Sequence, residues 1–250
     1  MRRLFITIFR YDPSDPESVP TYQDYVVDEL PRMSIYQALD EIQTKIDPSL
    51  YYDVVCRSNV CGSCAINING RPLLACRTQT SELPEKILLE PLVYFPLIKD
   101  LSTNKGGYFM DLNRELEAWI HTDKGFDPEM ENIITELAAQ EVYETDRCIE
   151  CGICMEACGV TKLNPDYLGA AGLNKVLHFM IDERDNRGVK GMLRYADDDN
   201  GAFGCEAMLG CRDLCPKDIE LLKIIAKVRN RVVKQVVCNT LRGMLRRKRT

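Results

Sequence analysis

The sequence predicts an α+β protein of two domains, a sheet-and-helix domain over residues 1–105 and a helical domain over residues 106–250. Strand-forming stretches alternate with turn residues in the first part, and helical spacing of apolar residues takes over near residue 106. Twelve cysteines occur among 250 residues, and eleven of them fall into three closely spaced groups. Such grouping is typical of metal or cluster sites, not of a secreted disulfide framework.

Composition and charge are those of a globular protein that does not bind nucleic acid. Apolar residues make up 45% of the chain and charged residues 28%, with a net charge of −6. From Lys223 onwards there are ten Lys and Arg and no acidic residue. An acidic body with a basic end lacks the basic groove and interleaved aromatic residues of nucleic-acid binders. The longest apolar run is interrupted by Glu90, Pro91 and Pro96, so we expect no membrane-spanning helix.

The first domain is expected to begin with two paired strands followed by a helix. Residues 4–10 and 22–27 are rich in strand formers, and the loop between them has turn chemistry. Ser34 and Gln37 form a capping-box pattern that starts a helix with apolar residues at helical spacing. Two strands and a helix suit a β-grasp layout, in which a small sheet packs across one helix.

The first cysteine group has the spacing C-x4-C-x2-C, with one further cysteine after eleven residues. This is the signature of a plant-type [2Fe–2S] ferredoxin. The predicted [2Fe–2S] ligands are Cys56, Cys61, Cys64 and Cys76.

Two glycines support a cluster loop at this position. Gly62 lacks a Cβ and therefore allows a close approach of the backbone. Asn69-Gly70 predicts a tight hairpin that returns the fourth ligand to the other three. The alternative is a zinc site or four unrelated thiols. Zinc sites usually pair two C-x2-C units across a longer gap, which this spacing does not do.

The second and third cysteine groups both follow C-x2-C-x2-C-x3-C, the pattern of bacterial ferredoxins with two clusters. In that arrangement the fourth cysteine of each run binds the other run's cluster. Met208 stands at the second cysteine position of the later run, and a thioether is a weak donor beside a thiolate. The pattern predicts one four-thiolate [4Fe–4S] site and one three-thiolate site suited to a [3Fe–4S] cluster. The [4Fe–4S] ligands are Cys148, Cys151, Cys154 and Cys215, and the [3Fe–4S] ligands are Cys158, Cys205 and Cys211.

The second domain is thus expected to be an all-α, bacterial-ferredoxin-like domain. Apolar spacing predicts helices over residues 111–122 and 127–145, and within residues 164–180 an apolar set follows small residues at 169–172 that permit close helix packing. A final helix is expected to begin at Pro216 and to continue past residue 230. Trp119 is expected in the core, and Cys238, which fits no cluster frame, is expected to be a free, partly buried thiol.

The basic C-terminal tail, residues 239–250, can be interpreted in two ways. It could contact anionic lipid headgroups or the loops of a membrane partner, or it could be a solvated tail. Its cationic residues are Arg242, Arg246, Arg247, Lys248 and Arg249.

Nothing else in the sequence supplies bond-making chemistry. It has no G-x-G-x-x-G motif, no P-loop, no nucleophile–base pair and only two histidines. Iron–sulfur clusters carry single electrons over a wide range of potentials. Three different clusters therefore predict an electron conductor whose donor and acceptor lie on other subunits.

In five motifs the chain resembles the iron–sulfur subunits of succinate dehydrogenase and fumarate reductase. The resemblance extends over residues 4–235, and all eleven cluster cysteines match in order. The motifs are residues 56–64, Asp146-Arg-Cys-Ile-Glu-Cys151, Asn164-Pro-Asp, Gly169-Ala-Ala-Gly172 and Cys215-Pro-Lys217.

The resemblance implies an electron-transfer subunit of a membrane-associated complex, without catalytic residues of its own. The N-terminal domain would dock on a flavoprotein with covalent FAD and the dicarboxylate site, and the C-terminal domain would face a quinone-reactive membrane anchor. Electrons would pass through FAD, [2Fe–2S], [4Fe–4S] and [3Fe–4S] to quinone or haem. The implied location is peripheral, on the cytoplasmic face of the inner cell membrane, in a complex that could dimerise.

Two positions separate this chain from relatives that bind ubiquinone beside the three-iron cluster. Those relatives carry Trp where this chain has Leu163, and often His where it has Glu206. The pattern is more similar to menaquinol:fumarate reductases with a single dihaem cytochrome b anchor. The physiological direction, succinate oxidation or fumarate reduction, stays open because surrounding hydrogen bonds and burial tune the potentials.

Two alternatives remain. One is the iron–sulfur subunit of another flavin-linked complex, of the heterodisulfide reductase or glycerol-3-phosphate dehydrogenase kind. Those relatives usually carry two complete [4Fe–4S] runs. The other is a zinc protein that binds a partner without redox activity, which would be colourless.

Overall fold

The structure, a computed structural model, describes residues 2–123, 125 and 129–247, with only the backbone for residues 242–247. The chain divides into two compact units that interleave along the sequence. The first comprises Met1–Met110, Ile149–Ala157 and Leu214–Lys217, and the second comprises Asp111–Cys148, Cys158–Asp213 and Asp218–Thr250. The first unit holds the β-sheets and the second is helical, so the α+β class is confirmed.

The first unit is built on a five-stranded mixed sheet with strand order β2-β1-β5-β3-β4. Strands β1 and β2 are antiparallel, with Arg3 opposite Asp28, whereas β1 and β5 run parallel. The first two strands confirm the predicted pair, and Leu4, Ile6 and Ile8 of β1 are fully buried. The strands are β1 (Arg3–Arg10), β2 (Thr21–Asp28), β3 (Ala65–Ile68), β4 (Arg71–Leu74) and β5 (Lys86–Glu90), with β6 (Leu97–Lys99) and β7 (Ser102–Thr103) in a separate two-stranded sheet.

The predicted capping box starts helix α1 (Ile35–Lys45). The Gln37 backbone N–H donates to Ser34 Oγ at 3.3 Å, and the Ser34 N–H donates to Gln37 Oε1 at 2.8 Å. These two bonds satisfy backbone donors that the first helical turn cannot pair internally. Helix α1 contacts β2 and buries Leu39 and Ile42.

The Asn-Gly hairpin is also confirmed. Strands β3 and β4 pair antiparallel with Ile68 opposite Arg71. Asn69 and Gly70 have φ values of 50° and 74°, the left-handed conformation that a two-residue hairpin of this kind requires.

The remaining helices include two long packed elements, α6 and α9, which contact each other. A Cβ built on Gly172 would lie 3.0 Å from Leu168 Cβ and 3.7 Å from Leu112 Cδ1, so the small residues do permit close packing. The helices are α2 (Lys105–Glu115), α3 (Glu136–Asp146), α4 (Ile153–Glu156), α5 (Gly159–Leu163), α6 (Gly169–Ile181), α7 (Gly188–Met192), α8 (Gly210–Asp213) and α9 (Leu221–Arg247).

Two predicted helices have wrong boundaries. The helix predicted over 111–122 begins earlier, at Lys105, and ends at Glu115, because Glu117 adopts a left-handed φ of 47°. Trp119 consequently lies beyond the helix, is 54% exposed and stacks on His121, so the core assignment was wrong. The helix predicted over 127–145 begins only after Thr135, which caps it; residues 127 and 128 lie outside the described part.

The C-terminal helix also differs from its prediction. Pro216 lies in a turn, and α9 begins five residues later, at Leu221. Cys238 is exposed on α9, so the expectation of partial burial was wrong. The tail residues from 248 and the side chains from 242 lie outside the described part, so both readings of the tail remain predictions. Among the residues described, we find no helix with the length and apolarity to span a bilayer.

Candidate metal centres

The loop from Cys56 to Cys64 turns its backbone N–H groups toward a cysteine sulfur. Cys56 Sγ accepts hydrogen bonds from the N–H groups of Ser58 at 3.4 Å, Val60 at 3.3 Å and Cys61 at 3.3 Å. These donors, led by Ser58, lower the pKa of the Cys56 thiol to about 6. Because only the thiolate is a good metal ligand, this sulfur is prepared for coordination before any metal binds.

Left-handed residues produce this arrangement of the loop. Arg57, Asn59 and Gly62 have φ values of 56°, 58° and 75°. A Cβ added to Gly62 would lie 2.8 Å from Cys151 Cβ and 2.9 Å from Cys151 Cα, closer than real Cβ atoms approach. The close neighbour of Gly62 is thus a cysteine of the next predicted cluster run, and its predicted approach to the [2Fe–2S] cluster itself stays a prediction.

The other cysteines of the first group lie close together. Burial raises the pKa of the Cys64 thiol to about 12, with further effects from a hydrogen bond to Cys76 and the charge of Cys61. Cys61 Sγ lies 3.2 Å from Ser63 Oγ. Together with the Cys61 N–H bond to Cys56, these interactions link all four predicted [2Fe–2S] ligands.

The segment with Cys151 and Cys154 belongs to the same unit as this loop. Gly152 has a φ of 79°, and a Cβ there would meet the Phe95 ring at 2.5 Å. The buried carboxylate of Glu156 accepts hydrogen bonds from Asn67 Nδ2 at 3.2 Å and from the Tyr94 N–H at 2.8 Å. No sequence pattern marks Glu156, although its hydrogen bonds fix the end of helix α4, which carries Cys154.

The predicted fourth ligand, Cys215, also lies in the first unit. Two hydrogen bonds from cationic side chains fix the backbone after Cys215. Arg77 Nη1 donates to Pro216 O at 2.8 Å, and Lys217 Nζ donates to Asn59 O at 2.8 Å. Cys148 is the last residue of a segment of the second unit, where it lines a cavity of about 340 Å³ with His178.

In the second unit, one pocket collects all three predicted [3Fe–4S] ligands. It is lined by Cys158, Cys205 and Cys211 together with Met208 and Tyr167. The Ala207 N–H donates to Cys205 Sγ at 3.4 Å. The structure thus brings Cys158 together with two cysteines that lie 47 and 53 positions later in the sequence.

Met208 lies at the rim of this pocket, where its side chain is 65% exposed. A Cβ built on Gly159 would lie 3.0 Å from both Sδ and Cε of Met208, so the thioether packs directly over that glycine. Ala207 and Leu209, on either side, are both left-handed, with φ values of 53° and 67°.

Two residues that sequence reasoning missed support the pocket. The phenol of Tyr167 is 2% exposed and hydrogen-bonds to Cys205. Burial and the neighbouring cysteines raise its pKa. The Arg229 guanidinium of α9 donates to Ala202 O at 2.7 Å and to Cys205 O at 2.6 Å. No spacing signal marks either residue, because each reaches the pocket from a distant element.

None of the twelve cysteines forms a disulfide, and all lie within the described part of the chain. In the same part, no three His, Cys, Asp or Glu side chains are arranged to hold a single metal ion. The groups described near the sulfurs include other cysteines, backbone N–H groups, the Ser63 hydroxyl and the Tyr167 phenol. Thiolates with N–H donors are the ligand chemistry of iron–sulfur clusters.

Two protein-family descriptions match the chain. Residues 5–109 match a 2Fe-2S iron-sulfur cluster binding domain, and residues 144–219 match a 4Fe-4S dicluster domain. The first range contains the Cys56 loop, and the second contains all seven cysteines of the later runs.

Similar proteins carry consistent names. The fumarate reductase iron-sulfur subunit of Wolinella succinogenes is 45% identical over 234 residues, covering 93% of this chain and 98% of that protein. The succinate dehydrogenase iron-sulfur subunit of Bacillus subtilis is 29% identical and covers 88% of each. A chain of the Mycobacterium smegmatis Sdh1 complex in the apo form has the same fold, with a TM-score of 0.80, 23% identity and coverage of 93% of this chain and 96% of that one. These similarities favour neither the alternative flavin-linked complexes nor the zinc module.

Proposed function

The chain belongs to the iron–sulfur subunits of fumarate reductase and succinate dehydrogenase, and we propose that eleven of its cysteines hold three different clusters. It is an electron-transfer subunit of such an oxidoreductase complex. Iron–sulfur clusters, when bound, supply one-electron transfer without proton or group transfer. The residues described above would bind the clusters, shield them and set their electrostatic surroundings.

One observation carries this proposal: three backbone N–H groups converge on Cys56 Sγ. The [2Fe–2S] assignment rests on it. Donors of this kind stabilise thiolate and sulfide charge when a cluster is bound. We assign this cluster to a β-grasp ferredoxin domain over residues 1–105. The mixed sheet and α1 support that assignment.

The [4Fe–4S] assignment is supported by the placement of three predicted ligands, Cys151, Cys154 and Cys215, in one compact unit. Cys148, at the end of the adjoining segment, would supply the fourth thiolate. The polar contacts of Glu156, Arg77 and Lys217 fix the backbone of these segments.

The [3Fe–4S] assignment is supported by the pocket that Cys158, Cys205 and Cys211 share. Three thiolates would hold three irons, and Met208 takes the position at which a fourth thiolate would bind a fourth iron. We propose a helical domain over residues 106–250 for this pocket and the later cysteine runs, although the short segments with Cys151, Cys154 and Cys215 fold as part of the first compact unit.

Membership of the family implies a flavoprotein partner and a membrane-anchor partner. We propose that the flavoprotein carries FAD and the dicarboxylate site, and that the anchor is a dihaem cytochrome b that reacts with menaquinone. Leu163 is 89% exposed and Glu206 is also exposed, and neither offers the Trp or His of the ubiquinone-binding relatives. The quinone site would then lie within the anchor, and this chain would be peripheral, on the cytoplasmic face of the inner membrane.

Low-temperature EPR of the complex purified with its partner subunits tests the proposal. We expect a three-iron signal in the oxidised sample that is lost on reduction, while [2Fe–2S] and [4Fe–4S] signals appear. Cys61→Ser should remove or alter only the [2Fe–2S] signal, and the matched control Cys238→Ser should leave all three unchanged. Metal analysis that found zinc in place of iron in intact protein would overturn the proposal.

A further inference from the structure

A buried lysine lies beside the predicted [2Fe–2S] loop. Lys105, the first residue of α2, is 7% exposed. Its Nζ lies 3.4 Å from Thr103 Oγ1 and 4.0 Å from Asp53 Oδ2. Asp53 also accepts a 2.6 Å hydrogen bond from Ser102 Oγ. A buried ammonium group normally has a close carboxylate partner, whereas this one has a carboxylate at the limit of ion-pair distance.

The lysine lines a cavity of about 290 Å³ with residues from two predicted cluster loops. Cys61 and Gly62 come from the [2Fe–2S] loop, and Ile149 and Glu150 directly precede Cys151 of the [4Fe–4S] run. The two loops touch where Gly62 meets Cys151. Lys105 therefore lines the same cavity as the two loops that meet at Gly62 and Cys151.

The electrostatic surroundings agree with this placement. Burial lowers the pKa of the Lys105 ammonium, and Asp53, Cys64, Cys151 and Cys61 act in the opposite direction. Three of these four groups are proposed cluster ligands. Negative charge on those sulfurs would favour the charged form of the lysine, and by the same interaction the lysine favours negative charge on the sulfurs.

We propose that Lys105 is an electrostatic tuning residue that raises the reduction potentials of the [2Fe–2S] and [4Fe–4S] clusters. This inference rests on the ligand assignments of the proposed function. Each cluster gains one electron on reduction, and a fixed cation nearby stabilises the reduced form more than the oxidised form. Burial strengthens the effect, because little water screens a charge in this position.

A purely structural role for Lys105 predicts something different. Its four-carbon stem packs in the interior and could serve the core alone. Truncation of the Lys105 side chain would then change the free energy of unfolding and leave the reduction potentials of both clusters unchanged. The reduction potential therefore separates the two roles.

The test is an EPR-monitored redox titration of the whole complex with Lys105→Met, which keeps an unbranched apolar stem and removes the charge. We expect the ratio of reduced to oxidised [2Fe–2S] at a fixed potential to fall on the order of tenfold, which is about 59 mV for a one-electron couple. The [4Fe–4S] ratio should fall in the same direction. The control is Lys99→Met, since Lys99 pairs with Asp12 at 3.0 Å and is 34% exposed. In this variant the reduction potentials of both clusters should match those of the wild type.

A second variant changes the charge in the opposite sense. Asp53→Asn removes the carboxylate nearest to Lys105 and should raise the same two potentials, by less because Asp53 is more exposed. Unchanged potentials in Lys105→Met with intact signals would overturn the inference, and so would shifts of equal sign in both variants. If Lys105→Met fails to assemble, Lys105→Gln, which also removes the charge but keeps a polar end for Thr103, takes its place in the same titration. Loss of the expected signals in the wild-type complex would instead refute the proposed function.

Discussion

The loops that begin at Cys56 and Cys205 share a backbone feature but surround their sulfurs differently. Both place two left-handed residues within four positions after the first cysteine, Arg57 and Asn59 in one and Ala207 and Leu209 in the other. Yet Cys56 Sγ accepts three backbone N–H bonds, whereas Cys205 Sγ accepts one backbone bond and one from a phenol.

The main chain therefore controls the first site, whereas side chains control much of the second. At the first site the three donors to Cys56 Sγ are main-chain groups, which no substitution other than proline removes, so this site depends on the course of the backbone. At the second site three side chains act. A phenol donates to the cysteine sulfur, a guanidinium donates to the cysteine carbonyl, and a thioether lies at the rim of the pocket. We therefore expect the first site to respond to backbone strain and the second to side-chain chemistry.

The largest effect should come from Gly62→Ala. The new Cβ would lie 2.8 Å from Cys151 Cβ and 2.9 Å from Cys151 Cα, at a left-handed φ of 75°. Left-handed backbone costs an L-residue about 1–2 kcal/mol, and the overlap with backbone adds to it, so we expect a loss of roughly 3 kcal/mol or more in the free energy of unfolding. Iron content and urea denaturation measure the change.

Gly70→Ala is the matched control for that variant. Gly70 has nearly the same φ, 74°, but nothing lies within 4 Å of the position that its new Cβ would take. Only the conformational cost of about 1 kcal/mol should appear, with the [2Fe–2S] signal retained. Equal behaviour of the two variants would mean that the contact with Cys151 is unimportant.

Met208→Cys should change the cluster type at the second site. A thiolate would replace the weak thioether donor at the position of the missing ligand, so we expect a [4Fe–4S] cluster with a lower potential. EPR of the oxidised complex should lose the three-iron signal. Met208→Leu, which adds no donor, should keep it. A three-iron signal in Met208→Cys would show that something other than the missing thiolate keeps the fourth iron out.

Arg229→Met should weaken the second site without touching its sulfurs. The variant loses charged hydrogen bonds of 2.7 Å to Ala202 O and 2.6 Å to Cys205 O, each worth about 1.5–3 kcal/mol. Because both bonds are only partly buried, we expect a loss near the lower end of their sum, about 3 kcal/mol in the free energy of unfolding, and a broadened three-iron signal.

Arg231→Met provides the comparison on the same helix. Arg231 forms a 3.4 Å pair with Glu141, which is 40% exposed, so its loss should cost less than about 1 kcal/mol. Equal destabilisation by the two variants would contradict the role given to Arg229.

The smallest effect should come from Tyr167→Phe, which removes the phenol donor to Cys205 and keeps the buried ring. Hydrogen bonds to ligand sulfurs stabilise the reduced cluster, so loss of this bond should lower the reduction potential of the three-iron cluster. At a fixed potential, its reduced-to-oxidised ratio should fall by a few-fold. A redox titration measures this shift, and the [2Fe–2S] potential provides the internal reference. An unchanged three-iron potential would mean that the phenol does not affect the cluster.

Local sequence determined the chemistry of this chain. The spacing of eleven cysteines, the Met208 substitution, the Ser34–Gln37 cap and the Asn69-Gly70 turn are all patterns within a few residues. Each depends on near-neighbour geometry that the rest of the fold does not alter, and for this reason it could be predicted. The same locality explains the errors at Trp119 and Pro216, where apolar spacing and a favourable residue suggested helix and tertiary contacts set the boundary elsewhere.

Tertiary structure alone decided what surrounds the sulfurs. Lys105 reaches the Cys61 loop, Arg229 holds the Cys205 carbonyl and Gly62 meets Cys151 across long stretches of sequence. No spacing rule identifies such partners, because burial and electrostatic contact depend on which distant segments fold against one another. The sequence therefore determined which residues are predicted to bind clusters, and the fold decided which charges and hydrogen-bond donors lie around their sulfurs.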